Sequence, residues 1–417
     1  MTYRHAPTQL GAWRGRRYAP CVTKTANDTP AGLHQAAMRA VAAGDLSGAQ
    51  AMLVRLLELD KASISGWLNL AAVRRQLQDA NGAFAALREV LRLDARNFPA
   101  LLMSATMLER EGRMKEAAAA YGVALAQAPP DHYLDPPTLQ ALKHARAVHA
   151  RHTSELEAFL RAELADTASQ CRPVERKRID AFVGTTLRTR KRYQQEPTDY
   201  FYPGLPAIEF YEREEFPWLA EFEAATESMQ SELAAILRAD DAGFAPYVRY
   251  DDHLPLDQWR ELNQSPRWSA LHFFESGRPV DERCRRAPAT MQAVSRLPQA
   301  RVPLRSPSVF YSVLQPKTRI PPHTGVANFR LVVHLPLVVP AGCSFRVGGD
   351  TRPWRVGEAW VFDDTIEHEA WNDSDQTRII LICDIWNPRL SEQEREAISR
   401  IIAATDAFNG TQPSASV

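Results

Sequence analysis

A shift of 34 residues superimposes the first third of the chain on itself. Ala37, Ala71 and Ala105 fall into register, and so do Ala49, Ala83 and Ala117. Leu57, Leu91 and Leu125 follow the same step, as do Leu33, Trp67 and Leu101, and Leu59-Asp60 recurs as Leu93-Asp94. A period of this length, with small residues at two fixed places, describes two antiparallel helices per repeat. The small side chains let the helices of a pair approach closely, and the large ones fill the seam with the next pair. Breaks fall where turns are needed, at Ala43-Gly44-Asp45, Gln78-Asp79-Ala80-Asn81-Gly82 and Glu111-Gly112-Arg113. Residues 138–165 keep a helical pattern (Leu139, Leu142, Ala145, Val148, then Leu156 and Leu160), which predicts a helix capping the last apolar seam.

Over about residues 30–130 this pattern resembles the tetratricopeptide family, with three repeats; the proline that family places at the end of a repeat occurs once, at Pro129. The resemblance implies an α-solenoid whose concave surface binds peptides; a spacer or dimerisation element is the alternative for the same fold. The chain of 417 residues has room for more, because domains usually run to about 100–200 residues. Residues 1–28, with Arg14, Arg16 and Arg17 among Gly, Pro and Thr, read as a flexible tail. The sequence therefore divides into a tail over 1–28, a repeat domain with its cap over 29–165, a charged connecting helix over 166–199 and a second domain over 200–417.

Charge and cysteine content remove several function classes. Fifty Lys and Arg stand against fifty Asp and Glu, which argues against nucleic acid as the main partner. The basic stretch around Arg176–Arg178 and Arg188–Arg192 has few aromatics among its charges, so it reads as a solvated helix rather than a base-stacking surface. Five scattered cysteines without a CxxC spacing support neither a disulfide framework nor structural zinc. The longest apolar run, Leu331 to Cys343, contains two prolines and a histidine and falls short of the ~20 residues of a membrane span. With no apolar signal segment at the start, the expected setting is cytoplasmic, with no membrane partner.

From Tyr200 the composition turns to aromatics, prolines and β-branched residues. Strand patterns are read at Ser308–Leu314, Phe329–Val338, Ser344–Val347, Thr351–Trp354, Ala359–Phe362, His368–Asn372 and Thr377–Trp386. So many short strands in 80 residues suggest a double-sheet jelly roll of the cupin type, that is, a double-stranded β-helix. Helices expected around Trp218–Leu237 and Pro288–Leu297 would pack against one sheet. The fold class is thus α + β and multidomain, an α-solenoid followed by a jelly roll with flanking helices. Within the strands lie Pro321-Pro322-His323-Thr324-Gly325, then His368 forty-five residues later and Arg378 ten beyond that. This order is similar to a non-haem iron, 2-oxoglutarate site, in which iron takes imidazoles and an arginine forks onto the far carboxylate of the oxoacid.

Nine ordered stretches over residues 200–390 carry a closer resemblance. They are Tyr202-Pro203-Gly204-Leu205-Pro206, Phe216-Pro217-Trp218, Tyr311-Ser312-Val313-Leu314, His323-Thr324-Gly325, Asn328-Phe329-Arg330-Leu331, Val333-His334-Leu335, Phe362-Asp363-Asp364, Glu367-His368-Glu369 and Asp384-Ile385-Trp386. Together they resemble the aspartyl/asparaginyl β-hydroxylase family of 2-oxoglutarate oxygenases, some of which also carry tetratricopeptide repeats before the oxygenase. The resemblance implies Fe(II), 2-oxoglutarate and O₂, and hydroxylation of the β-carbon of an Asp or Asn residue in a peptide or protein. It makes His323 and His368 the iron ligands, gives Ser312, His334 and Arg378 to 2-oxoglutarate, and turns Arg330 toward the substrate. A repeat domain that has kept an inactive barrel, and an oxygenase acting on a lipid acyl chain, are the alternatives.

Strand periodicity adds a geometric expectation. Arg330, Val332 and His334 share one face and Leu331, Val333 and Leu335 the other, while Glu367 and Glu369 point away from His368. Two departures accompany the resemblance. Most 2-oxoglutarate oxygenases place an acid two residues after the first histidine, where this chain, like the β-hydroxylase family, has no acid but Gly325; and Val332 stands where some relatives carry an arginine.

Overall fold

The structure, a computed structural model, describes residues 29–239, 242–251, 253 and 255–410; the expected tail over 1–28 lies outside them. Two compact units divide between Val183 and Gly184.

The first unit begins with six helices in three pairs: α1 Pro30–Ala42, α2 Leu46–Leu59, α3 Ile64–Gln76, α4 Ala80–Leu93, α5 Phe98–Arg110 and α6 Met114–Leu125. Sequence chemistry sets their starts. Thr29, Asp45, Ser63, Asp79 and Asn97 each accept the backbone N–H three residues on, satisfying a donor that a helix N-terminus otherwise leaves open. Gly44 and Gly112 turn the chain within pairs at φ +79° and +75°, a conformation that a Cβ disfavours. The repeat alanines do what their spacing predicts: Ala37, Ala71, Ala105, Ala49, Ala83 and Ala117 are all fully buried. Helix α7, Pro136–Glu163, packs on α6 through Leu142, Ala145 and Val148, with Asp135 as its N-cap. The region 166–199 is not one helix but two short ones, α8 Ala165–Gln170 and α9 Pro173–Thr186, followed by extended chain. Pro173 lacks the N–H that a continuous helix would require there.

The second unit is sheet-rich. A six-stranded antiparallel sheet has the order β1-β2-β5-β12-β7-β10, built from β1 Ala245–Pro246, β2 Trp268–His272, β5 Val309–Leu314, β7 Arg330–Val338, β10 Trp360–Phe362 and β12 Arg378–Trp386. A four-stranded sheet runs β6-β11-β8-β9, from β6 Thr318–His323, β8 Cys343–Val347, β9 Asp350–Pro353 and β11 His368–Asn372. A hairpin, β3 Phe274–Glu275 with β4 Arg278–Pro279, stands apart. The expected helix over Trp218–Leu237 is split into α10 Leu219–Ala224 and α11 Thr226–Arg238; α12 Asp281–Arg285 and α13 Pro288–Ser295 follow, and α14 Glu392–Asn409 starts at a capping box of Ser391 and Glu394.

Alternation along β7 builds two cores. Leu331, Val333, Leu335 and Leu337 join Met229, Leu233 and Ile236 of α11 and Val294 of α13 on the outer face. Val332 belongs instead to a cluster containing Phe345, Val347, Phe362, Ile366, Ala370 and Ile380, drawn from both sheets. The polar face of β7 therefore looks into the space between the sheets, and that is where the histidines gather. Among the described residues no helix is long and apolar enough to cross a membrane.

Candidate active site

Strand pairing brings the two motif histidines together. In the ladder between β6 and β11, His323 is the direct partner of His368, and their ring centroids lie 4.1 Å apart. The Nδ1 of His323 is 2.8 Å from the Pro321 carbonyl and that of His368 is 3.0 Å from the Ile366 carbonyl. A carbonyl only accepts, so each Nδ1 carries the hydrogen and each Nε2 keeps its lone pair. His368 is buried and His323 half-buried. Loss of hydration pushes their pKa down, to about 3 for His323, where the neighbouring imidazole adds repulsion, and to about 4 for His368. Both rings are thus neutral at pH 7, the form in which imidazole binds a transition metal.

The carboxylate that many metal sites would add is arranged differently here. A Cβ at Gly325 would collide with the carboxylate of Asp364, so the space a side chain at 325 would enter is already filled from β10's end. Gly325 N–H also donates to the Asp364 carbonyl at 2.7 Å, which fixes the close approach. Among the described residues no group of three or more His, Cys, Asp and Glu is placed to hold a metal ion. Glu367 and Glu369 both pair with Arg346, on the side of β11 turned away from His368, as strand alternation requires.

A second group lies on the facing sheet. Ser312 on β5, His334 on β7 and Arg378 on β12 are buried, and Arg378 is only 1% exposed. The Arg378 guanidinium has no carboxylate in ion-pair distance among the described residues. Its Nη1 reaches the Ser312 carbonyl and Oγ at 3.4 Å each, its Nε has no partner, and Trp354 covers it at 4.9 Å. Burial without a counter-charge pushes its pKa down to about 9. Ser312 Oγ also accepts from Trp268 Nε1 at 3.2 Å. The His334 ring packs against Phe345 and Phe362, with centroids at 4.9 and 4.7 Å, and its Nδ1 has no partner. Burial, then the charge of Arg378 and the neighbouring His368, holds its pKa well below the usual imidazole range. An unpaired buried cation is costly, and here it sits beside unpartnered donors on the wall of one space. Those residues fit the carboxylate of a small anion.

Arg330, the remaining sequence candidate, lies on the same face of β7 but is already engaged. Its guanidinium pairs with Asp364 at 3.2 Å and Asp384 at 3.5 Å, and the two carboxylates keep its pKa raised although burial opposes them. Sequence reasoning quoted Asp364 and Asp384 within motifs without giving them this task. It also passed over Trp268, which no strand pattern marked, and Trp354, which was read only as the end of a strand.

Residues 223–388 match the family described as Aspartyl/Asparaginyl beta-hydroxylase. The human aspartyl/asparaginyl beta-hydroxylase is 36% identical over 149 residues, 36% of this chain and 19% of that protein. Mouse aspartate beta-hydroxylase domain-containing protein 2 is 28% identical over 214 residues, 50% of this chain and 60% of the relative. An ornithine lipid ester-linked acyl 2-hydroxylase of Rhizobium tropici is 29% identical over 189 residues, 44% of this chain and 62% of its own. The chain thus spans less than two thirds of each of these relatives. The helical repeats resemble tetratricopeptide domains: the Arabidopsis OM64 TPR domain matches 30% of this chain and 96% of its own, at 22% identity and a TM-score of 0.26. The motifs read from the sequence are borne out as a recognition: through its sheet-rich unit, this chain is similar to the aspartyl/asparaginyl beta-hydroxylases.

Proposed function

We propose that the protein is an Fe(II)- and 2-oxoglutarate-dependent dioxygenase that hydroxylates the β-carbon of aspartyl or asparaginyl residues in a peptide or protein recruited by the repeats. The observation that carries this reading is the pairing, across one space, of two neutral imidazoles with open Nε2 atoms and a buried guanidinium with no counter-charge. The two sheets that frame this space are read as a double-stranded β-helix.

His323 and His368 would hold the iron through Nε2, each oriented by the carbonyl at its Nδ1. Bound there with 2-oxoglutarate and O₂, the metal supplies oxidative decarboxylation of the oxoacid to succinate and hydroxylation of a C–H bond. Arg378 would take the far carboxylate of the oxoacid in a charge-assisted contact, with Ser312 Oγ beside it and His334 along the same wall. Phe345, Phe362, Val332 and Ile380 exclude water from the space, which strengthens each of those contacts. Arg330 faces the acceptor, held in place by Asp364 and Asp384 rather than presented as a free cation.

The test is aerobic turnover of 2-oxoglutarate by the full chain with Fe(II), followed as succinate, together with a mass gain of one oxygen on Asp- or Asn-containing peptides. Absence of succinate under these conditions refutes the oxygenase and leaves a binding module with an inactive barrel. Succinate coupled to oxygen in an acyl chain but not in peptides moves the acceptor to lipid, a reading favoured by the similarity to the Rhizobium acyl 2-hydroxylase.

A further inference from the structure

Behind the large sheet, on the face opposite His334, the helices leave a cavity of about 160 Å³. Helices α10 and α11 bound it on one side and α13 on the other. Its floor is apolar, because Phe222, Ala293 and Leu297 are buried there as part of the outer core. Small residues explain the gap. Ala225, Ala289 and Ala293 stand where the helices meet, and their methyl groups do not fill the space that larger side chains would close-pack. Half-buried Trp218 makes one wall, in T-shaped contact with Phe222 at 6.2 Å and with Phe216 at 5.6 Å.

The rim carries charge of both signs. Glu221 comes from α10 and Arg296 from the C-cap of α13, and the two pair with each other while their side chains stay 64% and 53% exposed. A dry apolar cavity of about 150 Å³ takes up benzene, so the space here suits one six-membered ring, with Trp218 and Phe222 as its aromatic neighbours. The rim then decides what else the ligand carries. A plain anion would meet Glu221 and a plain cation would meet Arg296, each facing its own sign. A molecule with a carboxylate and an ammonium on one carbon satisfies both, the first on the guanidinium fork and the second on the carboxylate. Parting the resident pair costs little, since exposed ion pairs contribute little to stability.

We propose that this cavity binds a free aromatic α-amino acid, with its ring against Trp218 and Phe222 and its carboxylate and ammonium inserted between Arg296 and Glu221. The lining residues belong to the outer core and to the helices over it, so the proposal stands apart from the oxygenase reading.

The test is a ligand-observed NMR titration of the full chain with L-phenylalanine, in excess 2-oxoglutarate to compete for any seat beside Arg378. A Kd of about 1 mM or tighter is expected. Three related probes dissect the recognition: L-alanine keeps both charges without the ring, phenylacetate keeps the ring and carboxylate, and phenethylamine keeps the ring and ammonium. Each should bind at least about tenfold more weakly than L-phenylalanine. Glu221→Gln and Arg296→Gln, at exposed positions, should each weaken L-phenylalanine by about tenfold. Ala225→Leu, which fills the cavity, should abolish binding. Arg400→Gln breaks another exposed ion pair, with Glu396 on α14, and should leave binding unchanged. Circular dichroism should match across the variants; if Ala225→Leu fails to fold, the two rim variants decide. No binding of L-phenylalanine, equal binding of any of the three related probes, or unchanged affinity in folded Glu221→Gln and Arg296→Gln overturns the proposal. Succinate formation is measured separately, so failure here leaves the oxygenase reading standing.

Discussion

The repeat unit keeps its charges in water, and the sheet unit takes several of them out of it. Arg55–Glu58, Arg92–Glu89 and Arg113–Glu116 are ion pairs on exposed helix faces, a class that contributes about 0–1 kcal/mol each. The stability of those helices comes from elsewhere, from buried repeat alanines and leucines and from side-chain caps. In the sheet unit Arg330 is set against Asp364 and Asp384 with all three side chains at or below 14% exposure. Arg378 is buried with no carboxylate in ion-pair distance among the described residues. Desolvating such groups is unfavourable, and hydrophobic residues of the same volume would serve a core better. A region that keeps them has been shaped by something other than stability, and the unpaired cation marks the place more sharply than the paired one.

The strongest test of that contrast is to remove a histidine of the facing pair. His323→Ala and His368→Ala should each lower succinate formation by more than about 100-fold, since even groups behind a metal ligand cost 10–100-fold when lost. Anaerobic Fe(II) titration should show the matching loss of metal binding. Retained iron affinity in either folded variant would detach that histidine from the site.

Arg378→Met asks whether the buried cation is kept for function at the expense of stability. The variant should need about 10–100-fold more 2-oxoglutarate, given about 1.5–3 kcal/mol for a hydrogen bond to a charged group. Without cosubstrate it should unfold at equal or higher temperature, because an uncompensated buried charge is gone, a gain of up to about 1–4 kcal/mol. A variant that is both less stable and unchanged in its 2-oxoglutarate requirement would make Arg378 structural.

A smaller effect should appear with pH. His272, packed between Tyr247 and Phe310, has its pKa pushed down to about 4 by burial, with Arg249 and Arg283 adding to the shift and Glu275 opposing it. In the unfolded chain the same side chain takes up its proton near pH 6.5. The unfolded state therefore binds more protons between these values, and stability is lost as pH falls from about 6.5 toward 4, by roughly 1–3 kcal/mol from this group. Asp363 and Asp384, both raised to about 6 chiefly by burial, act in the opposite sense and favour the folded state as pH falls through 6. His272→Phe should consequently make the acid loss of stability seen by urea unfolding at pH 7, 6 and 5 shallower, while the depressed His323, His334 and His368 keep it from vanishing. An unchanged pH profile would mean that the imidazole reaches water.

The smallest expected change lies in the repeats. Asp79→Ala removes the cap that accepts Gly82 N–H at 2.8 Å and should cost about 1 kcal/mol of helical stability. Succinate formation should stay as it was, and a parallel loss would tie the barrel's chemistry to the repeats.

How much of this could be read from residues alone depended on the kind of signal. The repeats were legible because identical small residues recur at a fixed step and each helix begins with a capping side chain. Seven strands were placed within a residue or so of where they lie, and His368–Asn372 coincides with β11. Five strands were not, the two-residue β1, β3 and β4 and two longer ones. Trp268–His272 is almost entirely buried, so it lacks the alternation that distinguishes a strand, and it lies between segments with helical patterns. Thr318–His323 carries two prolines, which demote a strand unless it lies at a sheet edge, and β6 does lie at one. At the site, motif order found the residues that converge on the space between the sheets. It could not reveal that Arg330 is held by two carboxylates, nor that Asp364 fills the room beside Gly325. Those are contacts between residues 34 to 54 positions apart, and no local pattern encodes them.

That pair of prolines has an effect reaching past the site. An edge strand exposes a row of backbone donors and acceptors on which another chain can pair. Pro321 and Pro322 offer no N–H there, and they fall where the ladder to β11 shifts register between His368 and Ala370. The segment that aims His323 is thus also the one that denies a neighbouring molecule a regular template, and the open margin of the smaller sheet is kept from seeding fibrils at high protein concentration.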